Sequence, residues 1–221
     1  NYRLPFEELL LIYAQRPDAT AVLPIEGANG WNTRFGRWVN RGATGIAVFD
    51  REYTQGTRLK YYFDISDTHA SRFARPVPLW EMRPGYEQDV IEVLENSFGE
   101  LESKESLAAA LISAAKNIVE DNITDYLDDL LISKEGSFLE ELDDFNVEVA
   151  YRDALETSVA YMLLTRCGIK ADEYFTREDF RNLLDFNTPE TVNALGTATS
   201  DIAEMGLVEI ARAVRSCEKE Q

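Results

Sequence analysis

Apolar residues recur at spacings of three and four throughout the second part of the chain, which is the period of an amphipathic helix. The clearest run extends from Leu107 to Leu131, with Asp and Glu filling the opposite face. At 3.6 residues per turn, a run of this length predicts about seven helical turns. The pattern holds from Tyr86 onward, so we expect this region to be helical.

Two further helices are predicted toward the C-terminus. Val147–Arg166 has the same periodicity and is followed by Gly168, at the place where a left-handed glycine commonly ends a helix. A second helix is expected over Pro189–Ser216, because proline is typical of a first helical position. We expect that helix to bend near Gly196 or Gly206.

The first part of the chain mixes one helix with β-like runs. Leu4–Arg16 has an amphipathic stripe and is followed by a proline. Thr20–Ile25, Ile46–Phe49 and Leu59–Ile65 are rich in strand-forming residues, and the last two are expected to pair antiparallel. The sequence therefore predicts an α+β fold class. Residues 1–83 form a small α+β domain with a short antiparallel sheet, and residues 84–221 form an all-α domain.

Charge is divided unevenly between these two regions. Residues 1–83 hold 11 Arg or Lys and 9 Asp or Glu, whereas residues 84–221 hold the other 11 basic and 31 acidic residues. The net charge of −18 therefore resides in the second region, which should repel nucleic acid. Ten of the eleven basic residues in the first region are arginines, whose planar guanidinium groups suit phosphate. An arginine-rich surface is equally typical of a soluble protein, and that alternative stays open.

Common catalytic and cofactor motifs are missing from the sequence. It contains no HExxH, GxGxxG, GxxxxGK[ST] or GxSxG pattern, and its single histidine, His69, excludes sites that need two imidazoles. Cys167 lies at the end of an apolar helix and is expected to be a buried structural thiol. Adjacent carboxylates are expected to form a solvated face rather than a metal site; they are Asp128-Asp129, Glu140-Glu141 and Asp143-Asp144. We therefore predict no enzymatic activity, no catalytic residue, no cofactor and no metal.

Sequence features favour a cytoplasmic protein that does not cross a membrane. Its longest apolar runs, Leu9–Ile12 and Val159–Leu164, are far shorter than the ~18 residues of a membrane span. Two cysteines argue against a disulfide framework and fit a reducing compartment. The chain shows no charged-then-apolar leader, and its first residue, Asn1 rather than Met, suggests a piece of a longer polypeptide.

Arginines, aromatic residues and glycines are concentrated between Trp31 and Ile46. Guanidinium groups contact phosphate, aromatic faces accept unstacked bases, and glycines allow close approach to the backbone. Rings at these spacings are also typical of a packed core, and that alternative stays open. The candidate phosphate contacts are Arg34, Arg37, Arg41, Arg58 and Lys60, and the candidate base-stacking residues are Trp38 and Tyr62.

Several stretches of the first region resemble the N-terminal domain of ArdC-type antirestriction proteins. The similarity is carried by Leu4–Thr20, Trp31, Gly36–Ile46 and Tyr62–Thr68, and it covers residues 1–83. The resemblance implies a domain that binds single-stranded DNA and occurs on plasmids and conjugative elements. The same domain stands at the front of large LtrC-like proteins, so the resemblance also implies helicase or methyltransferase modules downstream in a larger polypeptide.

The second region is similar to the metallopeptidase-like domain that follows in the same family. Val149–Ile169 resembles the helix after that family's zinc motif, and Asn187–Val214 resembles its final helix. By position, Asp153 or Glu156 corresponds to the family's carboxylate ligand. Because the HExxH motif is missing, the resemblance implies a degenerate scaffold without zinc or peptidase activity, in which both are ordinary helix residues.

A different class of function is the alternative. A strongly acidic helical surface could imitate the charge of duplex DNA and occupy a restriction or CRISPR nuclease. The two hypotheses differ in which region is needed: residues 1–83 for DNA binding, residues 84–221 for inhibition through protein contact.

Overall fold

The computed structural model describes residues 4–50 and 53–220. The chain divides into two compact units, Asn1–Leu79 (unit 1) and Trp80–Gln221 (unit 2). Unit 1 combines helix and strand, and the elements described in unit 2 are helices. The predicted α+β fold class is therefore confirmed, and the division lies slightly before the boundary expected at residue 83.

Unit 1 begins with a helix that ends where the sequence predicted. Pro17 disfavours helical geometry in the residue before it, and Arg16 has φ −148° and ψ 78°. The prediction of a helix at Leu4–Arg16 is thus confirmed. The elements of unit 1 are α1 (Phe6–Gln15), β1 (Val22–Pro24), a π-helical turn (Trp31–Phe35), β2 (Arg37–Val39), β3 (Ile46–Phe49), β4 (Leu59–Asp64), a 3-10 turn (Ile65–Asp67) and β5 (Thr68–Ala70).

Three of the strands form an antiparallel sheet in the order β1-β4-β3. Val22 lies opposite Asp64, and Ile46 lies opposite Tyr62. The predicted antiparallel pairing of Ile46–Phe49 with the following β-like run is confirmed. Residues 51 and 52 of the connection between them lie outside the described residues.

The sheet is covered on both faces. On one face its side chains pack against α1, and on the other they pack against the π-helical turn. The first core comprises Ile12, Val22, Ile46, Val48 and Tyr62, and the second comprises Trp31, Phe35 and Phe63. Trp31 is fully buried and donates Nε1–H to the Phe63 carbonyl oxygen at 2.7 Å, so the polar end of the indole is satisfied. The core interpretation of the aromatic run therefore holds for Trp31 and Phe35.

Unit 2 is a bundle in which α3 packs against α5, α5 against α6, and α2 against both α3 and α6. Among the described residues, no helix is both long enough and apolar enough to cross a membrane. The elements are α2 (Glu87–Phe98), α3 (Leu107–Asn122), α4 (Thr124–Ser133), α5 (Asp144–Arg166), 3-10 turns at Ala171–Glu173 and Arg181–Asp185, and α6 (Pro189–Glu220).

The predicted single helix from Leu107 to Leu131 is wrong, because α3 ends at Asn122 and α4 starts at Thr124. The Asn122 side chain donates Nδ2–H to the Ile118 carbonyl oxygen at 2.8 Å. Bonds of this type from a short polar side chain compete with the backbone ladder and favour a helix end. The apolar periodicity is continuous across the break, so the sequence pattern did not predict the break.

The glycines near the ends of the last two helices have different roles. Gly168 has φ 76° and donates its N–H to the Thr165 carbonyl oxygen, and Ile169 donates its N–H to the Leu164 carbonyl oxygen. This is the expected left-handed helix end. Helix α6 is continuous through both glycines at which a bend was expected. At Gly206 an added Cβ would lie 3.1 Å from Ile118 Cδ1, so this glycine allows close packing of helices instead.

Candidate nucleic-acid interface

The candidate interface is a two-stranded antiparallel ribbon of β2 and β5, separate from the sheet. Trp38 lies directly opposite His69, and Arg37 opposite Ala70. Three-residue strands are too short for a periodic signal, so the sequence did not predict this pairing.

The chain after β5 continues along the ribbon. Ser71 donates its backbone N–H to the Gly36 carbonyl oxygen at 3.1 Å, and Arg75 donates to the Phe35 carbonyl oxygen at 2.9 Å. Gly36 has φ 63°, and an added Cβ would lie 3.2 Å from the Phe73 carbonyl oxygen. Glycine is therefore needed here both for the left-handed backbone and for the close approach of the two segments.

This part of unit 1 carries positive charge with no acidic residue in its sequence. Residues 27–49 and 68–79, which include the ribbon and its flanks, contain five arginines and no Asp or Glu, in a chain of net charge −18. Within residues 4–50 and 53–220, none of the five forms an ion pair with a carboxylate. They are Arg34, Arg37, Arg41, Arg72 and Arg75.

One face of the ribbon presents an exposed indole. Trp38 is 54% exposed, and side chains directly opposite on paired antiparallel strands share a face, which places His69 beside it. The His69 imidazole nitrogen Nδ1 lies 2.8 Å from Asn40 Oδ1. The hydrogen bond orients the imidazole next to the one tryptophan of the three that is not buried.

Arg37 points to the opposite face of the ribbon, because successive strand residues alternate. Its Nε donates to Thr68 Oγ1 at 2.7 Å, and its Nη2 donates to the Thr68 carbonyl oxygen at 2.9 Å. Both partners are neutral, so the guanidinium keeps its full charge while being fixed in place. Arg37 and Trp38 therefore lie on opposite faces of the ribbon. A single surface that contacts both phosphates and bases cannot include the two of them.

The other arginines of the ribbon region are exposed. Arg34 contacts the ring of Phe35, with its Cζ 5.3 Å from the centroid, and Arg41 lies in the turn after β2. Arg72 and Arg75 follow β5. Sequence reasoning missed these last two and Phe73 between them, although the string Arg72-Phe73-Ala74-Arg75 has the same basic-aromatic composition that marked Arg34–Arg41.

Two predicted phosphate contacts lie in or just before β4 of the three-stranded sheet and not in the ribbon. Lys60 of β4 forms an ion pair with Glu8, Nζ to Oε1 at 2.9 Å. Arg58 lies near Asp50, with Nε 3.8 Å from Oδ2, and over the ring of Tyr53. Lys60 is thus already paired with a carboxylate of the protein, and Arg58 lies outside the ribbon beside Asp50, so the structure does not support their assignment to a DNA surface.

The predicted base-stacking role of Tyr62 is wrong. Its side chain is 6% exposed and belongs to the core under α1, and its hydroxyl donates to Glu8 Oε2 at 2.9 Å. Burial, followed by this hydrogen bond, raises the pKa of Tyr62. A ring enclosed in this way has no face for a base.

Three of the six acidic residues singled out in unit 2 have local structural partners. Asp143 accepts from the Asn146 N–H at 2.9 Å and so caps α5. Asp144 lies 3.4 Å from Lys134 Nζ, and Glu140 accepts from the Gly136 N–H at 2.8 Å. These contacts account for three of the acidic residues without any external ligand.

The two carboxylates that the resemblance aligns with a metal ligand are not gathered into a site. Asp153 is exposed, whereas Glu156 is half-buried. Burial, with a smaller contribution from Asp153, raises the pKa of Glu156 against the opposing influence of Lys116 and Arg152. Over the described ranges, no group of three His, Cys, Asp or Glu side chains is placed to hold a metal ion.

Comparison with known proteins finds no matching family model, no matching curated protein and no matching solved structure.

Proposed function

We propose that this chain is a single-stranded-DNA-binding module that acts through the ribbon of unit 1. The observation that carries the proposal is the presence of five arginines and an exposed tryptophan in two stretches of sequence that form and flank the ribbon and contain no acidic residue. In a chain with 40 acidic residues, a cationic region of this kind opposes the overall charge. Phosphate is the natural counterpart of such a surface.

An exposed ring beside the arginines favours a single strand over a duplex. Bases in a duplex are stacked on one another, whereas unpaired bases can stack on an aromatic side chain. Trp38 provides that ring, and His69 lies directly opposite it on the paired strand. Arg34, Arg41 and the two arginines after β5 supply phosphate contacts, while Arg37 acts as a positioning residue that ties β2 to β5 through Thr68.

The resemblance to ArdC-type proteins supports the same proposal and supplies its setting. The module is an accessory part of a mobile-element protein concerned with antirestriction, conjugation or helicase action. It works in the cytoplasm without enzymatic activity of its own, and helicase or methyltransferase modules of a larger polypeptide are its partners.

The DNA-mimic alternative has one favourable observation. Unit 2 holds 32 of the 40 acidic residues against 12 of the 22 basic ones. However, several of its acidic side chains cap a helix or pair with a cation or a backbone N–H of the unit itself, which is typical of a stable acidic bundle. Nuclease inhibition by the full chain that survives loss of the ribbon arginines would favour the alternative.

The proposal is tested by fluorescence anisotropy of a labelled oligothymidylate titrated with the full chain. Arg34→Glu with Arg41→Glu should weaken binding and make the slope of log affinity against log salt shallower by about 1.4, since each phosphate contact on a single strand contributes about 0.7. Arg58→Glu is the matched control, because Arg58 is an exposed arginine of unit 1 beside Asp50. Equal binding by the double variant and the wild type, or equal affinity for a duplex, would overturn the proposal.

A further inference from the structure

Phe73 is the most exposed aromatic side chain described in unit 1. It is 73% exposed, and the Arg72 guanidinium carbon lies 4.4 Å from the centroid of its ring. A guanidinium stacked on one face of a phenyl ring forms a flat, cationic two-layer platform. Bases stack on aromatic rings and also on arginine planes. This pair therefore offers a base two kinds of surface, the ring of Phe73 and the guanidinium plane of Arg72.

The backbone under this pair is fixed by hydrogen bonds. Ser71 Oγ accepts from the Phe73 N–H at 3.2 Å, and the Ser71 carbonyl oxygen accepts from the Ala74 N–H at 3.0 Å. The segment is joined to Gly36 on one side and to Phe35 on the other by the backbone bonds already described. Phe73 is therefore presented by a defined turn against the ribbon.

This turn is bonded to the backbone just before the strand that carries the exposed indole. Gly36 approaches the Phe73 backbone and precedes Trp38 by two residues. The segment that carries Phe73 is therefore hydrogen-bonded to the residues just before Trp38, with Arg34 and Arg75 next to the bonded positions in sequence.

We propose that Arg72 and Phe73 form a second base-stacking position, so that one single strand contacts Trp38 and Phe73 together. This inference rests on the proposed function and adds residues to the same surface. It assigns the ring of Phe73 to a base, and it assigns the charge of Arg72 to the adjoining phosphate or to the base plane. Phe73 therefore contributes to affinity through the base and not through charge.

The test compares Phe73→Ala, Phe73→Trp and wild type in the full chain, with oligothymidylate and with inorganic polyphosphate as a polyanion without bases. Phe73→Ala should weaken oligothymidylate binding about tenfold, the effect of one stacked base, with the salt slope and the polyphosphate affinity unchanged. Phe73→Trp, which keeps an aromatic ring, should bind oligothymidylate with the affinity of the wild type. The exposure of Phe73 means that these variants should fold normally, which circular dichroism checks.

The outcomes separate this inference from the proposed function. If wild type binds with the expected salt dependence and Phe73→Ala binds equally well, the second position is wrong while the proposed function stands. The same conclusion follows if Phe73→Ala weakens oligothymidylate and polyphosphate alike. If wild type binds no oligonucleotide, both proposals fail.

Discussion

Asp64 and Ser66 are joined by two hydrogen bonds to one carboxylate oxygen: Oδ2 of Asp64 accepts from the Ser66 N–H at 2.9 Å and from its hydroxyl at 2.6 Å. The other oxygen, Oδ1, accepts from the backbone N–H groups of Thr20 and Ala21 at 2.7 and 2.9 Å. The residue is 2% exposed. This carboxylate therefore fixes the chain where β4 of the sheet leads into β5 of the ribbon.

Asp64→Asn should destabilise unit 1 by about 3 kcal/mol. The asparagine amide keeps only one acceptor oxygen, and its NH2 group would face N–H or O–H donors that now bond to the second carboxylate oxygen. Burial alone would raise the pKa of Asp64, but the hydrogen bonds from Ser66, Ala21 and Thr20 leave it lowered. A lowered pKa gives stability that is present above about pH 4 and lost as the pH falls further. Urea unfolding at pH 7 and pH 3 should show the wild-type advantage over Asp64→Asn shrinking in acid. An advantage of the same size at both pH values would contradict this.

Glu8 links helix α1 to β4 through its contacts with Lys60 and Tyr62. We expect Lys60 and Tyr62 to make the stability of unit 1 fall in alkaline solution. Burial by itself lowers the pKa of Lys60, but hydrogen bonds with Glu8 and Tyr62 leave it raised; the pKa of Tyr62 is raised by burial and by Glu8. Groups with a raised pKa in the folded state stabilise it below their ordinary pKa, and that contribution is lost as the pH rises above about 10.

The variant Glu8→Gln removes the carboxylate, so its free energy of unfolding should fall less than that of the wild type between pH 9 and pH 11. This pH range is chosen because the ordinary pKa values of Tyr and Lys are about 10. The measurement is the midpoint of chemical unfolding as a function of pH. Parallel curves for the two proteins would show that Glu8 does not link these groups.

Gln15 covers the outer edge of β3. Its side-chain amide donates to the Ala47 carbonyl oxygen at 2.8 Å and accepts from the Ala47 N–H at 3.0 Å. Both of these backbone groups would otherwise be open to pairing with another strand. Gln15→Ala should cost about 1 kcal/mol in the free energy of unfolding and increase self-association in sedimentation experiments. An unchanged sedimentation coefficient at high concentration would contradict the second effect.

Gly206 should tolerate no large side chain. Its α-carbon faces Ile118 and Leu163, whose nearest methyl carbons would lie 3.1 and 3.2 Å from an added Cβ. Gly206→Leu should destabilise the bundle by about 2 kcal/mol or more through overpacking. The neighbouring Met205→Leu is the matched control, since Met205 is 36% exposed. Similar thermal unfolding of both variants would show that the helices do not pack closely at this glycine.

Local sequence signals predicted those parts of the fold that depend on local physics. Pro17 ends α1, and Gly168 ends α5, because backbone conformation at these positions is set by the residue type. The strands over Ile46–Phe49 and Leu59–Asp64 were predicted from their composition. The break between α3 and α4 was missed because it depends on a side-chain bond from Asn122 rather than on the apolar period.

The candidate site was predicted in part, because its assembly is non-local. Pairing of β2 with β5 joins residues about thirty positions apart, and neither three-residue strand has a periodic pattern of its own. Tyr62 was misassigned because the sheet is packed on both faces, so alternation along β4 does not distinguish a buried ring from an exposed one. Arg72 and Phe73 are brought to the ribbon by backbone bonds to Gly36 and Phe35, which are distant in sequence.

The most direct measurement of the central claim is tryptophan fluorescence during titration with oligothymidylate. Trp31 and Trp80 are 0% and 3% exposed, whereas Trp38 is 54% exposed, so a change in emission on binding reports on Trp38 and the other two provide a constant background. We predict quenching that is reversed by salt and absent in Trp38→Phe, since a stacked base quenches the indole it covers and release of the strand is salt-dependent. Unchanged emission of the wild type at saturating oligonucleotide, or equal quenching in Trp38→Phe, would contradict the account.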